Sequence, residues 1–140
     1  MRMRIEKERT PPGQDNLAIK TGRGGLMDVE FVAQAICIGQ GWYEPNTLAA
    51  ITRAGREKIL SEASAGVLAE NYRKLMQIER ILRRWSFEAE SMLPTDPSAY
   101  YRVAVRCGYR DAAGFEKAVL ACRESIRREY LKVLEPAAKQ

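Results

Sequence analysis

With 140 residues, 46% of them hydrophobic and 29% charged, the chain has the composition of one soluble globular domain, long enough to withdraw most of its apolar surface from water on folding. Its 23 Lys and Arg outnumber 18 Asp and Glu, a net charge of +5, but bases alternate with acids (Glu6, Lys7, Glu8, Arg9; Arg127, Arg128, Glu129), as on wet helix faces rather than in a nucleic-acid footprint. Histidine is absent, which excludes a His-dependent hydrolase and a zinc site with histidine ligands, and no apolar run approaches the ~20 residues a membrane helix needs.

The opening residues are charged with no apolar segment behind them, so they are not expected to act as a signal peptide. Residues 2–9 read as the tail of a charged helix, and the abrupt passage into Thr10-Pro11-Pro12-Gly13 suggests a piece of a longer protein. Residues 10–16 form a Pro/Gly-rich loop; Leu17 to Thr21 is expected to be extended, with Ile19 buried, before a Gly22-Arg23-Gly24-Gly25 turn. A helix should start near Leu26, because Asp28 and Glu30 then lie in its first turn, where negative charge complements the helix dipole. Val29, Val32, Ala33 and Ile36 supply its buried stripe, and Gly39 and Gly41 end it. Asn46 or Thr47 then caps a short helix through Ala54 that stops at Gly55.

From Ser61 to Trp85 the positions Leu68, Tyr72, Leu75, Ile78 or Glu79, Leu82 and Trp85 recur at intervals of three and four, one face of a long amphipathic helix whose other face carries Arg73, Lys74, Arg80, Arg83 and Arg84. Glu79 lies on the apolar stripe, where an unpaired charge is costly, so an arginine from a neighbouring helix is expected to meet it. Asp96-Pro97 is a cap followed by proline at the first helical position, opening a helix to Cys107 closed by Gly108. Asp111 caps the last helix, with Phe115, Val119, Cys122, Ile126, Tyr130 and Val133 at four-three spacing to Leu134 and Pro136 as its stop. Arg83-Arg84 and Arg127-Arg128 meet either an acidic partner or water. Cys37, Cys107 and Cys122, odd in number and set among apolar neighbours, read as buried free thiols in a reducing compartment. The expected fold is all-α, a bundle of four to six helices with negligible sheet, in a single domain 1–140: a leading helix and Gly-rich loop over 1–25, then the bundle over 26–135.

The most distinctive stretch is Lys20-Thr21-Gly22-Arg23-Gly24-Gly25-Leu26-Met27-Asp28-Val29-Glu30-Phe31-Val32-Ala33-Gln34. A glycine-rich turn entering a helix offers backbone N–H groups at the positive end of the dipole, with Lys20 and Arg23 beside them, a place for an anion. The acids that follow occupy much of that field, and the spacing departs from the phosphate-binding lysine loop, so a structural turn is the better reading. Asp28 and Glu30, two positions apart, face different directions and do not make an acid/base or metal pair.

The same stretch, Lys-x-Gly-x-Gly-Gly-Leu-x-Asp-Val-Glu-Phe-x-x-Gln, resembles the signature that follows each nucleotidyltransferase core in the bacterial glutamine synthetase adenylyltransferase family, where it introduces a helical region shared in part with PII uridylyltransferases. The likeness runs over about residues 2–134, through Asn46-Thr47-x4-Thr52, Leu68 to Arg83, Leu93-Pro94, Ala104 to Tyr109 and Phe115 to Tyr130. Two features depart from the family pattern: the lead-in Asp15-Asn16-Leu17-Ala18-Ile19-Lys20, and Arg80 where a histidine often follows the glutamate of the long helix. The Asp-Val-Glu-Phe form is closer to the C-terminal, adenylylating unit than to the deadenylylating one.

The resemblance implies a parent enzyme in the cytoplasm that transfers AMP from ATP with Mg²⁺ to glutamine synthetase, and removes it, in nitrogen regulation. Glutamine synthetase, PII protein and the parent's own nucleotidyltransferase core become the implied partners, with no membrane and no nucleic acid among them. The core's Gly-Ser and Asp-x-Asp motifs do not occur here, so the segment is expected to be non-catalytic, without cofactor or metal of its own. Lys20, Gly22, Gly24, Gly25, Asp28, Glu30, Phe31 and Gln34 are its motif residues, structural or core-facing. The competing reading is a stand-alone helical adaptor for a protein or RNA partner, with the glycine turn as punctuation.

Overall fold

The computed structural model describes residues 17–85 and 92–134, so the helix expected over 2–9, the loop over 10–16 and Pro136 lie outside the described residues. Within them run five helices: α1 (Leu26–Gln40), α2 (Thr47–Arg56), α3 (Glu62–Trp85), α4 (Pro97–Arg106) and α5 (Ala112–Leu134). The only β pairing among the described residues is an isolated antiparallel bridge between Ala18 and Met92, and the all-α bundle is the observed architecture. No helix of the described residues is long and apolar enough to cross a membrane.

Side chains set most helix starts. Asn46 Oδ1 accepts the Ala49 N–H at 2.8 Å, Ser61 Oγ the Ser64 N–H at 3.1 Å, Asp96 Oδ2 the Ala99 N–H at 2.9 Å and Asp111 Oδ1 the Gly114 N–H at 2.7 Å, each satisfying a donor left without an intrahelical partner. At the other end of α1, Gly41 turns left-handed at φ +72, and the Trp42 N–H reaches back to the Cys37 carbonyl at 2.9 Å. Gly39 lies inside that helix.

α3 is the spine. It packs on α2 along one side and α5 along another; α1 lies against α2, α5 and α3, and α4 bridges α5 and α3. Leu68 and Leu75 of α3, Val29 and Val32 of α1, Ile51 of α2, and Phe115 and Ile126 of α5 are almost wholly enclosed, together with Ile19 ahead of α1. Each such side chain stabilises the fold by roughly 1.5–3 kcal/mol relative to exposure. The edges of Tyr100 and Tyr109 meet the Phe115 ring at centroid distances of 5.5 and 5.4 Å.

Three expectations are corrected. The stretch 17–21 is not extended: Ala18 makes its single bridge, and the chain then turns so that the Gly22 N–H donates to the Ala18 carbonyl at 3.0 Å, with Ile19 nevertheless fully buried. Gly55 does not stop α2, which continues to Arg56; a Cβ there would come within 2.7 Å of Ala65 Cβ, so the glycine serves the close approach of α2 to α3. Cys107 is only half-buried, unlike Cys37 and Cys122.

Candidate functional site: the glycine turn and its seat on the last helix

The turn before α1 closes on itself. The Gly25 N–H donates to the Gly22 carbonyl at 3.0 Å, Leu26 N–H to the Ile19 carbonyl at 2.9 Å, and Met27 N–H to the Lys20 carbonyl at 3.0 Å. Gly24 N–H is taken by the Asp28 carboxylate at 2.7 Å. The amides that make a helix N-terminus attractive to an anion are therefore occupied by protein oxygens, and the turn works as architecture.

Its tightness follows from two glycines. Gly24 has φ +70, a conformation that costs an L-residue with a side chain, and a Cβ on it would lie 1.9 Å from the Arg123 carbonyl oxygen of α5. A Cβ on Gly25 would meet the Ile19 carbonyl oxygen at 2.6 Å. Backbone thus rests directly on backbone, with α5 as the seat.

Charge completes the joint. Asp28 is wholly enclosed, and Arg127 Nη1 donates to its Oδ2 at 3.1 Å while Arg123 Nε donates to the Arg23 carbonyl at 2.8 Å. The Arg127 guanidinium also lies 4.5 Å from the centre of the Tyr130 ring. A buried carboxylate needs such partners, because desolvation alone would make it costly.

The motif residues split into two groups. Gly22, Gly24, Gly25 and Asp28 are buried in the joint, with Lys20 half-exposed beside it. Glu30 falls beyond the first turn of α1, where only Asp28 lies; it turns toward α3 and accepts a hydrogen bond from the Tyr72 hydroxyl at 3.1 Å. Burial, then Glu30, pushes the Tyr72 hydroxyl up to about 12. Glu30 and the exposed Gln34 line a groove of about 420 Å³ with Trp42, Tyr43, Glu44 and Thr47, and Phe31 packs half-buried against the core. Asp28 and Glu30 therefore do not converge, and among the described residues no three acids or cysteines gather where a metal could be held.

Glu79 pairs with Arg83, 3.4 Å away on its own helix, rather than with an arginine of a neighbouring helix. It sits at the edge of the stripe, close enough to solvent for a side chain one turn on to reach it. Of the two alternatives for Arg127, an acidic partner or water, the joint shows the acid, Asp28, whereas Arg123 and the hydroxyl of Tyr72 escaped the sequence reading. One faint signal existed: Arg123 and Arg127 stand four apart, beside the apolar stripe at Cys122, Ile126 and Tyr130.

Known proteins resemble this chain over most of its length. A bifunctional glutamine synthetase adenylyltransferase/adenylyl-removing enzyme of Bradyrhizobium diazoefficiens is 31% identical over 133 residues, covering 88% of this chain and 13% of the relative. Its namesake in Brucella melitensis is 27% identical over 124 residues, covering 85% and 13%, and that of Xanthomonas oryzae 27% identical over 129 residues, covering 86% and 13%. The chain thus spans a small part of the length of these relatives. The sequence model of the family described as GlnD PII-uridylyltransferase matches residues 1–134, and the chain belongs to that family.

Proposed function

We propose that the chain is the helical domain that follows the C-terminal nucleotidyltransferase core of a glutamine synthetase adenylyltransferase-like protein, and that it buttresses that core while AMP is moved from ATP to glutamine synthetase. The observation that carries this reading is the joint itself: the motif most characteristic of the resemblance is spent on fastening α1 to α5, with its carboxylate buried and its amides paired. A motif used that way holds shape rather than substrate.

On this reading neither magnesium nor ATP is held by this domain. Asp28 is enclosed and already bridged to Arg127, and Glu30 is turned to Tyr72, so these two motif carboxylates do not present oxygens to one ion. Both groups are assigned to the core, and no step is routed through this domain. Glutamine synthetase and PII protein are the partners that the reading implies, in the cytoplasm.

The test is labelling of glutamine synthetase with radiolabelled ATP and Mg²⁺, by this chain alone and by this chain fused behind a nucleotidyltransferase core. Label transferred only by the fusion supports the proposal. Label transferred by the chain alone, or by neither, overturns it, the second outcome favouring an independent adaptor.

A further inference from the structure

α4 is held at Val103 and Ala104 and by the edge of the Tyr100 ring on Phe115. Val103 and Ala104 are its buried residues, while Tyr101 and Val105, one turn apart, are 49% and 46% exposed. Beside them on the surface stand Arg102 and Arg106, again one turn apart. The Arg106 guanidinium covers the Trp85 ring at 4.0 Å from its centroid, which brings the C-terminus of α3 to this face, and Trp85 is 55% exposed. Large apolar side chains are thus gathered on the surface and interleaved with cations.

Along α4 and the turn that follows it the sequence carries charge of one sign. From Pro97 to Arg110 the sequence contains three arginines and no acid, and Arg84 lies 5.9 Å from the same Trp85 ring. The carboxylates that bracket the helix are engaged as caps: Asp96 on the Ala99 N–H, Asp111 on that of Gly114. Among the described residues no ion pair reaches Arg84, Arg102 or Arg106, whereas Arg83 is answered by Glu79.

We infer that this arginine–aromatic face, centred on Trp85, Tyr101 and Arg106, docks an acidic segment of a protein partner carrying at least one large apolar side chain. Trp, Tyr and Arg are the residue types that dominate binding energy at protein interfaces, whereas lysine is depleted there. The region matches: no lysine occurs between Lys74 and Lys117. Carboxylates on the partner would answer Arg102 and Arg106 in bidentate fashion, and an apolar side chain would lie against Tyr101, Val105 and the free part of Trp85. A nucleic acid fits less well, because the cations form a compact cluster rather than a track, and Val105 offers a base or phosphate nothing. The surface is read from this chain's own residues and does not depend on the proposal about AMP transfer.

The full chain is titrated into a fluorescent peptide of alternating Glu and Leu with one Phe, into the same peptide with Lys for Glu, into its Glu/Ser counterpart without apolar residues, and into a short single-stranded oligonucleotide. Expected is binding of the Glu/Leu/Phe peptide alone, or at least about tenfold tighter than the other three, weakening as salt rises from about 0.05 to about 0.5 M. The double substitution R102E/R106E should weaken it at least about tenfold, as should Trp85→Ala. These side chains are exposed, and an unchanged circular dichroism spectrum, with Tyr101→Ser as a further surface variant expected to weaken binding, separates lost docking from lost fold. Tighter binding of the oligonucleotide, equal binding of the Glu/Ser peptide, no binding of the Glu/Leu/Phe peptide at about 1 mM, or indifference to the substitutions each overturns the inference.

Discussion

Replacing Gly24 by alanine tests the central claim that the turn is seated backbone to backbone on α5. The new Cβ would stand 1.9 Å from the Arg123 carbonyl oxygen, and to recover even the 3.0 Å below which real Cβ contacts essentially never fall, α5 must retreat by roughly 1 Å. That retreat disturbs Val119, Cys122 and Ile126, which share the helix and the core. Displacement of a packed core costs typically about 1–3 kcal/mol, and the left-handed backbone at φ +70 adds about 1–2 kcal/mol for a residue with a side chain. A loss of about 2–5 kcal/mol is expected, a large part of the ~5–15 kcal/mol a domain possesses. Urea unfolding followed by circular dichroism reads it out. Gly66→Ala is the control, since a Cβ there meets nothing within 4 Å inside α3, and it should stabilise by about 0.5–1 kcal/mol. Equal midpoints for Gly24→Ala and the parent chain would refute the reasoning.

Asp28→Ala strands Arg127 and the Gly24 amide and should cost about 3–5 kcal/mol, whereas Asp28→Asn keeps an acceptor and should cost about 1.5–3 kcal/mol; a reversed order in the same denaturation assay would sink the ion-pair account. Asn46→Ala removes the cap of α2 and should lower stability by about 1 kcal/mol, with Asn46→Asp close to neutral. In alkali, burial holds Cys122 up to about 12 and Cys107 up to about 11, and Tyr72 rises from 10.0 to about 12, so the unfolded chain releases protons that the folded one retains. Stability contributed by these groups is complete below about pH 9 and should fall as pH rises from about 9 to about 12; urea midpoints that hold or climb across that window contradict it.

Much of the bundle was legible because local chemistry decides where helices begin and end. Asn46, Asp96 and Asp111 are short polar acceptors placed just before apolar periodicity, and Gly41 is the left-handed closure of α1, so these boundaries needed no tertiary information. Gly55 misled for the opposite reason: its use is the approach of α3, and a glycine required by a neighbour looks the same in sequence as one required by a turn. The joint was half visible. That a Gly-Gly turn precedes α1 follows from residue types, but the burial of Asp28 depends on Arg127, 99 positions away, which its spacing of four from Arg123 marks only faintly against Arg128 beside it. Glu79 misled in the other direction: its place on the stripe pointed to a neighbouring helix, but its partner is Arg83, four positions on in its own helix.

The span of that ion pair also bears on how the molecule is made. At synthesis rates of roughly 5–20 residues per second, the 99 positions between Asp28 and Arg127 amount to a wait of roughly 5–20 s. α1, α2 and α3 emerge in that interval and can associate through near neighbours, while the carboxylate that α5 will enclose stays hydrated. Helix hairpins assemble in far less time than this, so the ribosome, rather than the chain's own search, sets when the bundle is locked.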